Sequence, residues 1–417
     1  MTTVRTLTEW CEVPLSEVCQ RTELRNPETE PERPFLYVDV SCVSNDTFRI
    51  TETNEVFGRD APSRARKVIR SNDVIFATVR PSLKRVALVP SRLDSQVCST
   101  GFCVLRSKPD LLDPLFLYFY LLTERIQRRV EGLQDGATYP AIRDSDLLDQ
   151  CIPLPSLPEQ RAIARGLNTL QTTKEARERE LALEHERKAV LMEYLFTHGT
   201  RGEPSRQNEI GEIPESWKVL RLEDVAMIER GKFAHRPRNA PEFYGGDIPF
   251  IQTGDVANSN GHIRKYSQTL NGRGLSISRI FPKGTIVITI AANIGFTGIL
   301  DFDSAFPDSL IGITPGVAVL PEYLNYYLVT QQSEMDRKAP RGTQKNINIE
   351  FLKPWPVAVP PHEEQATIAE VLRGCDAKID GLQTETALLD ELFRAMLEEL
   401  MSGRLSATSL IQEHQPR

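Results

Sequence analysis

Four stretches of this 417-residue chain gather side chains of the types that grip phosphate and read base edges. "GRDAPSRARKVIR" supplies Arg59, Arg64, Arg66, Lys67 and Arg70, and "VRPSLKR" adds Arg80, Lys84 and Arg85. In the second half "ERGKFAHRPRN" supplies Arg230, Lys232, His235, Arg236 and Arg238, and "RGTQKNIN" supplies Arg341, Thr343, Gln344, Lys345 and Asn346. Arg and Lys suit guanine and phosphate, and Asn and Gln suit adenine. A solvated surface charge is the plain alternative for each of them. The whole chain is acidic, with a net charge of −7, which speaks mildly against a polyanion partner. Local patches rather than the sum decide phosphate affinity, so the sign does not close the question.

Catalytic and metal chemistry has weaker footing. The sequence lacks an NPPY-like tetrapeptide, a GxGxxG after a strand and a GxxxxGK[ST] loop, so neither methyl transfer nor nucleotide hydrolysis is expected of this chain. Its seven cysteines include no CxxC pair, which suits free thiols in a reducing cytosol. Cys98 and Cys103 are expected to be buried thiols rather than a zinc pair, and His185 and His198 to be surface or capping residues; no metal site is expected. The run "LFLYFYLL" is too short to span a bilayer. A basic start followed by an apolar segment is missing, so a cytoplasmic chain without a membrane or export segment is expected.

The elements that must position these residues come in two sets. "WCEVPLSEVC" (10–19) resembles "WKVLRLEDVA" (217–226), and "FLYVDVSCVSN" (35–45) resembles "PFIQTGDVAN" (249–258). "NDVIFATV" matches "GTIVITI", "DPLFLYFYLL" matches "LPEYLNYYLV", and "DGATYPAI" matches "RGTQKNI". "LPSLPEQRAIARGL" (154–167) and "VPPHEEQATIAEVL" (359–372) close the two series. So many matches in one order mean an internal duplication with a period of about 205–213 residues, far beyond a solenoid repeat. Each half reads as a mixed α/β domain. "NDVIFATV" and "GTIVITI" are predicted buried strands, and "LFLYFYLLTERIQRRV" a helix whose aromatic stripe packs the core.

After Pro158 and Pro361 the chain runs without proline to Gly199 and Gly403, and two long helices are predicted there. In the second, Ile368, Leu372, Cys375, Ile379, Leu382, Thr386, Leu389, Phe393, Met396 and Leu400 recur at heptad steps. The first keeps that register at its ends, through Ile163, Leu167, Leu170, Leu181, Leu191 and Leu195. Its middle is polar, with Lys174, Arg177, Glu184 and Lys188, and is expected to pair weakly. A helix of about 40 residues is about 60 Å long, and each needs an apolar partner. The simplest arrangement is an antiparallel pair with one domain at each end, related by pseudo-twofold symmetry. The predicted order is 1–157 first domain, 158–199 first long helix, 200–216 linker, 217–361 second domain, 362–403 second long helix and 404–417 tail.

Together, the proline-rich entrance with "PEQR" or "EEQ", the long helix ending in Gly, the preceding "GATYPAI" or "GTQKNI" and the joint "EIGEIPESWKVLRLEDVA" (209–226) resemble the specificity subunit of type I restriction–modification systems. The resemblance covers nearly the whole chain. It implies an α+β fold of two target-recognition domains, each followed by a long helix, with the helices forming an antiparallel coiled coil. It also implies binding of double-stranded DNA at a bipartite, asymmetric target. Two methyltransferase (modification) subunits and restriction/translocase subunits would be partners. S-adenosylmethionine, ATP and Mg would be held by those partners, with no cofactor and no catalysis in this chain. Two other classes compete: a coiled-coil scaffold whose domains bind only protein, favoured by the acidic charge, and a fused modification or restriction enzyme, disfavoured by the missing cofactor motifs.

Overall fold

The computed structural model describes residues 10–136, 140–235, 239–291, 294–340 and 345–407. The chain forms two compact units, one taking residues up to Arg179 and from Thr384 onward, the other Glu180–Gln383. Each unit therefore combines one α/β domain with half of each long helix.

The first domain has two four-stranded sheets. One orders Cys19–Gln20, Phe102–Ser107, Val74–Ala77 and Val86–Leu88; the other orders Asn54–Phe57, Pro34–Val38, Gln96–Ser99 and Ala65–Ile69. A separate antiparallel pair, Cys11–Pro14 with Cys151–Leu154, joins the domain's first and last strands. The second domain repeats this plan with one added strand. Ala226–Arg230, Leu310–Pro315, Ile286–Thr289 and Thr297–Leu300 form one sheet, extended by Gly261–Ile263. Gln268–Leu270, Tyr244–Phe250, Ser304–Ala305 and Ile280–Phe281 form the other, and Lys218–Arg221 pairs with Pro356–Val359. The predicted strands lie at the centre: all four residues of Val74–Ala77 and of Ile286–Thr289 are buried. The aromatic helix Pro114–Leu122 is buried from Phe116 to Leu121, so its stripe is core and not an exposed stacking surface.

The repeated proline-and-glutamine motif has a structural reason. Gln160 is buried; its side-chain oxygen accepts from Asp113 N–H (2.8 Å) and its amide donates to Leu111 O (3.0 Å) and Pro155 O (2.9 Å). Gln365, also buried, makes the same three bonds, to Leu320 N–H (2.8 Å), Ala318 O (3.0 Å) and Pro360 O (3.0 Å). In each half this one amide ties the start of the long helix to the loop that enters the aromatic helix. A second repeated bond runs from Tyr120 Oη to Cys151 O (2.7 Å) and from Tyr327 Oη to Pro356 O (2.9 Å).

The long helices span Leu157–His198 and His362–Met401. Both stop at a left-handed glycine, Gly199 (φ 66°) and Gly403 (φ 68°), where a side chain would be strained. In the first unit Ile163 and Leu167 share a buried core with Phe393 and Leu400, with Leu170 and Met396 half-buried beside them. In the second, Ile368 and Leu372 share a core with Leu195 and Phe196. Ile379 and Leu382 are buried as well, while Leu389 is only half-buried.

The polar middle of the first helix departs from expectation. Lys174 pairs with Asp390, Arg177 with Glu385 (2.9 Å), Lys188 with Asp376, and Glu184 with Lys378 (2.6 Å). All four residues expected to weaken the seam thus meet a charge of opposite sign. The hydrogen bond from Lys378 holds the Glu184 carboxyl below the usual carboxylate range. Within each unit these contacts step in opposite directions along the two helices, so the halves pair antiparallel. Residues 200–216, read above as a linker, contain a β-hairpin, Ser205–Asn208 with Gly211–Pro214. Its flanks are held by the buried Glu364, which accepts from Thr200 N–H (2.7 Å) and from Trp217 Nε1–H (3.2 Å).

Candidate nucleic-acid interface

Each domain has one hairpin at the centre of its fold. In the first, Val74–Ala77 pairs with Val86–Leu88; in the second, Ile286–Thr289 pairs with Thr297–Leu300. Behind each tip lies the loop that precedes the domain's last short helix. Ile142 N–H donates to Thr78 O (2.9 Å), and Val79 bridges to Ala141. The second domain repeats this with Ile347 N–H to Ile290 O (3.0 Å) and Ala291 bridging to Asn346. Residues 140–142 and 346–347, far from the hairpins in sequence, are thereby joined to the hairpin tips.

The tips differ in chemistry. The first carries Arg80 and Lys84, both exposed, and Arg85, whose guanidinium donates to Val40 O (2.6 Å). The second, from Ile290 to Phe296, has no charged residue; beside it stand the exposed Asn346 and the half-buried Lys345, which pairs with Asp336 (2.7 Å). Reading for positive charge passes over the neutral tip. The alignment of "NDVIFATV" with "GTIVITI" carried the missing signal, since the residues after the two strands occupy the same place.

Of the other candidates, several are engaged inside the protein. Lys67 is the clearest case. Its ammonium donates to Phe102 O (2.6 Å) and pairs with Asp144, with the side chain only 12% exposed. It locks the last short helix to the sheet. Arg66 pairs with Glu28 (3.2 Å), Arg70 with Glu23 (2.6 Å), and Arg59 with Glu32 (2.5 Å) while lying over the Phe57 ring. Arg230 donates to Asp308 O (2.6 Å). Arg64 and Lys232 are exposed and have no ion-pair partner among the described residues. Arg236, Arg238, Arg341, Thr343 and Gln344 lie outside the described residues.

Cys98 and Cys103 are buried free thiols; burial pushes the Cys98 thiol up to about 12 and raises that of Cys103 as well. Among the described residues no three potential metal ligands come together, and no helix is long and apolar enough to cross a membrane.

Comparison with known proteins agrees with this duplicated plan. A family model described as the type I restriction modification DNA specificity domain matches twice, over residues 8–185 and 214–391. The specificity subunit of the type I restriction enzyme HindI of Haemophilus influenzae is 21% identical over 467 residues, covering 96% of this chain and 100% of that protein. The crystal structure of the HsdS subunit from Thermoanaerobacter tengcongensis is 30% identical, with a TM-score of 0.52 over 97% of this chain and 99% of that one. A chain from a structural study of assembly and conformational transition in a type I R-M system is 29% identical, with a TM-score of 0.62 over 96% of this chain and 100% of that one. The chain belongs to the type I restriction–modification DNA specificity family, and it carries that family's domain twice.

Proposed function

We propose that each of the two domains reads one part of a bipartite, asymmetric DNA target, and that the long helices set the spacing between the parts and dock two methyltransferase subunits, with restriction/translocase subunits completing the assembly. The observation that carries this reading is the pair of hairpin tips. They occupy one topological position in two copies of a domain, yet one is basic and the other neutral, as two unlike half-sites require. Target readout comes from these tips and the loops joined to them; the exposed Arg64 and Lys232 add phosphate contacts. Arg236, Arg238, Arg341, Thr343 and Gln344 stand as candidates for the same role in the second domain by residue type. Spacing belongs to the helices because their apolar seam and charge pairs specify one register.

The test is a map of methylated sites in cells carrying this chain and its methyltransferase, compared with a variant lacking one heptad from both long helices. The spacer is expected to shorten while both recognised sequences stay the same; altered sequences at an unchanged spacer would contradict the proposal. Titration of the purified complex with duplex DNA separates it from a protein-only scaffold, since binding through phosphates weakens steeply with salt.

A further inference from the structure

The tip of the first hairpin is strained in a way that displays one apolar side chain. Arg80 and Lys84 both hold left-handed backbone, φ 50° and 51°, on either side of the turn Pro81–Leu83. Neither residue is Gly or Asn, so both conformations are unfavourable and must be held by their surroundings. Pro81 is buried, and Arg80 N–H donates to Pro140 O (2.7 Å). Lys84 N–H closes the turn on Pro81 O (2.8 Å), and the Arg85 guanidinium anchors the exit on Val40 O. The result is a fixed knuckle that presents Ser82, Leu83 and Lys84 outward. Leu83 is 41% exposed. Part of this apolar side chain thus stays open on a backbone held in an unfavourable conformation, which leaves surface for a partner to cover.

We propose that this knuckle is a base-reading element of the first domain, with Leu83 packing against a thymine methyl group in the major groove while Lys84 holds a flanking phosphate. The thymine C5 methyl is the apolar feature that the major groove offers to such a side chain. The inference rests on the DNA-binding reading above, and the two fail differently.

The experiment uses the full chain in complex with its methyltransferase and a duplex carrying the mapped target, in which each thymine in turn is replaced by uracil, which lacks the methyl. One such replacement is expected to weaken wild-type binding by about fivefold or more, the scale of losing one base-pair contact. L83A is expected to weaken binding to the thymine duplex and to be indifferent to that same replacement. K84Q is expected to weaken binding to all sequences alike and to lower the salt slope by about one. If the wild-type complex binds its target but no replacement matters, or if L83A and the uracil losses simply add, the knuckle is not a methyl reader. If the wild-type complex shows no salt-dependent binding, the DNA-binding reading itself falls.

Discussion

Single residues in this protein show how poorly charge alone marks function. Lys67 lies in an Arg-rich stretch, yet its ammonium is consumed by Phe102 O and Asp144. K67Q should therefore destabilise the first domain by about 1–3 kcal/mol, the usual cost of orphaning such partners, and leave the salt slope of DNA binding unchanged. Thermal unfolding and a salt titration check the two halves of that statement. Gln160 and Gln365 make the opposite point: an uncharged side chain whose three hydrogen bonds recur in both halves. Substituting Glu keeps the shape but turns a carboxylate oxygen toward two carbonyl oxygens. Q160E and Q365E should each cost more than the corresponding Ala variants, which orphan groups at about 1–3 kcal/mol apiece. Unfolding in denaturant would show the order, and an equal loss for Glu and Ala would contradict it.

At the scale of elements, the long helices are held by two different forces. Apolar side chains close the ends, and charge pairs cross the stretch where the first helix turns polar. Lys174 and Asp390 are each only about a quarter exposed, so the cost of desolvating both groups offsets much of their attraction and the net gain is small. Their value is in register, because a slip would set like charges opposite. K174D and D390K should each lower the melting temperature, and the double reversal should recover most of the loss in a double-mutant cycle. Additive losses would mean that the two side chains do not interact. The hairpin in residues 200–216 belongs to the same account. Glu364 binds Thr200 and Trp217 on either side of it, so this connection is folded rather than slack.

For the molecule as a whole, each domain opens and closes on one antiparallel strand pair, Cys11–Pro14 with Cys151–Leu154 and Lys218–Arg221 with Pro356–Val359. The two ends of a domain thus leave side by side, which makes it an exchangeable module. Replacing residues 11–154 with the matching segment of a related specificity subunit should change one recognised sequence and leave the other sequence and the spacer intact. Methylation mapping would read all three at once. A change in both sequences would mean that the domains do not read independently.

The sequence alone determined the duplication, the central strands and the two long helices, because each rests on local regularities: repeated order, β-branched runs and heptad spacing. It also carried the family, since that depends on the combination of those same motifs. Only the tertiary structure decided which cations are free. A lysine's partner is set by residues that the fold brings together, as Asp144 is brought to Lys67 across 77 positions of chain. Likewise the charge pairs between the helices join residues such as Arg177 and Glu385, 208 positions apart. Helical spacing shows a polar seam on one element but not the complementary charges waiting on the other. The neutral tip of the second domain became visible for the same reason: its place is defined by a bridge to a distant loop, and nothing in its own residues announces it.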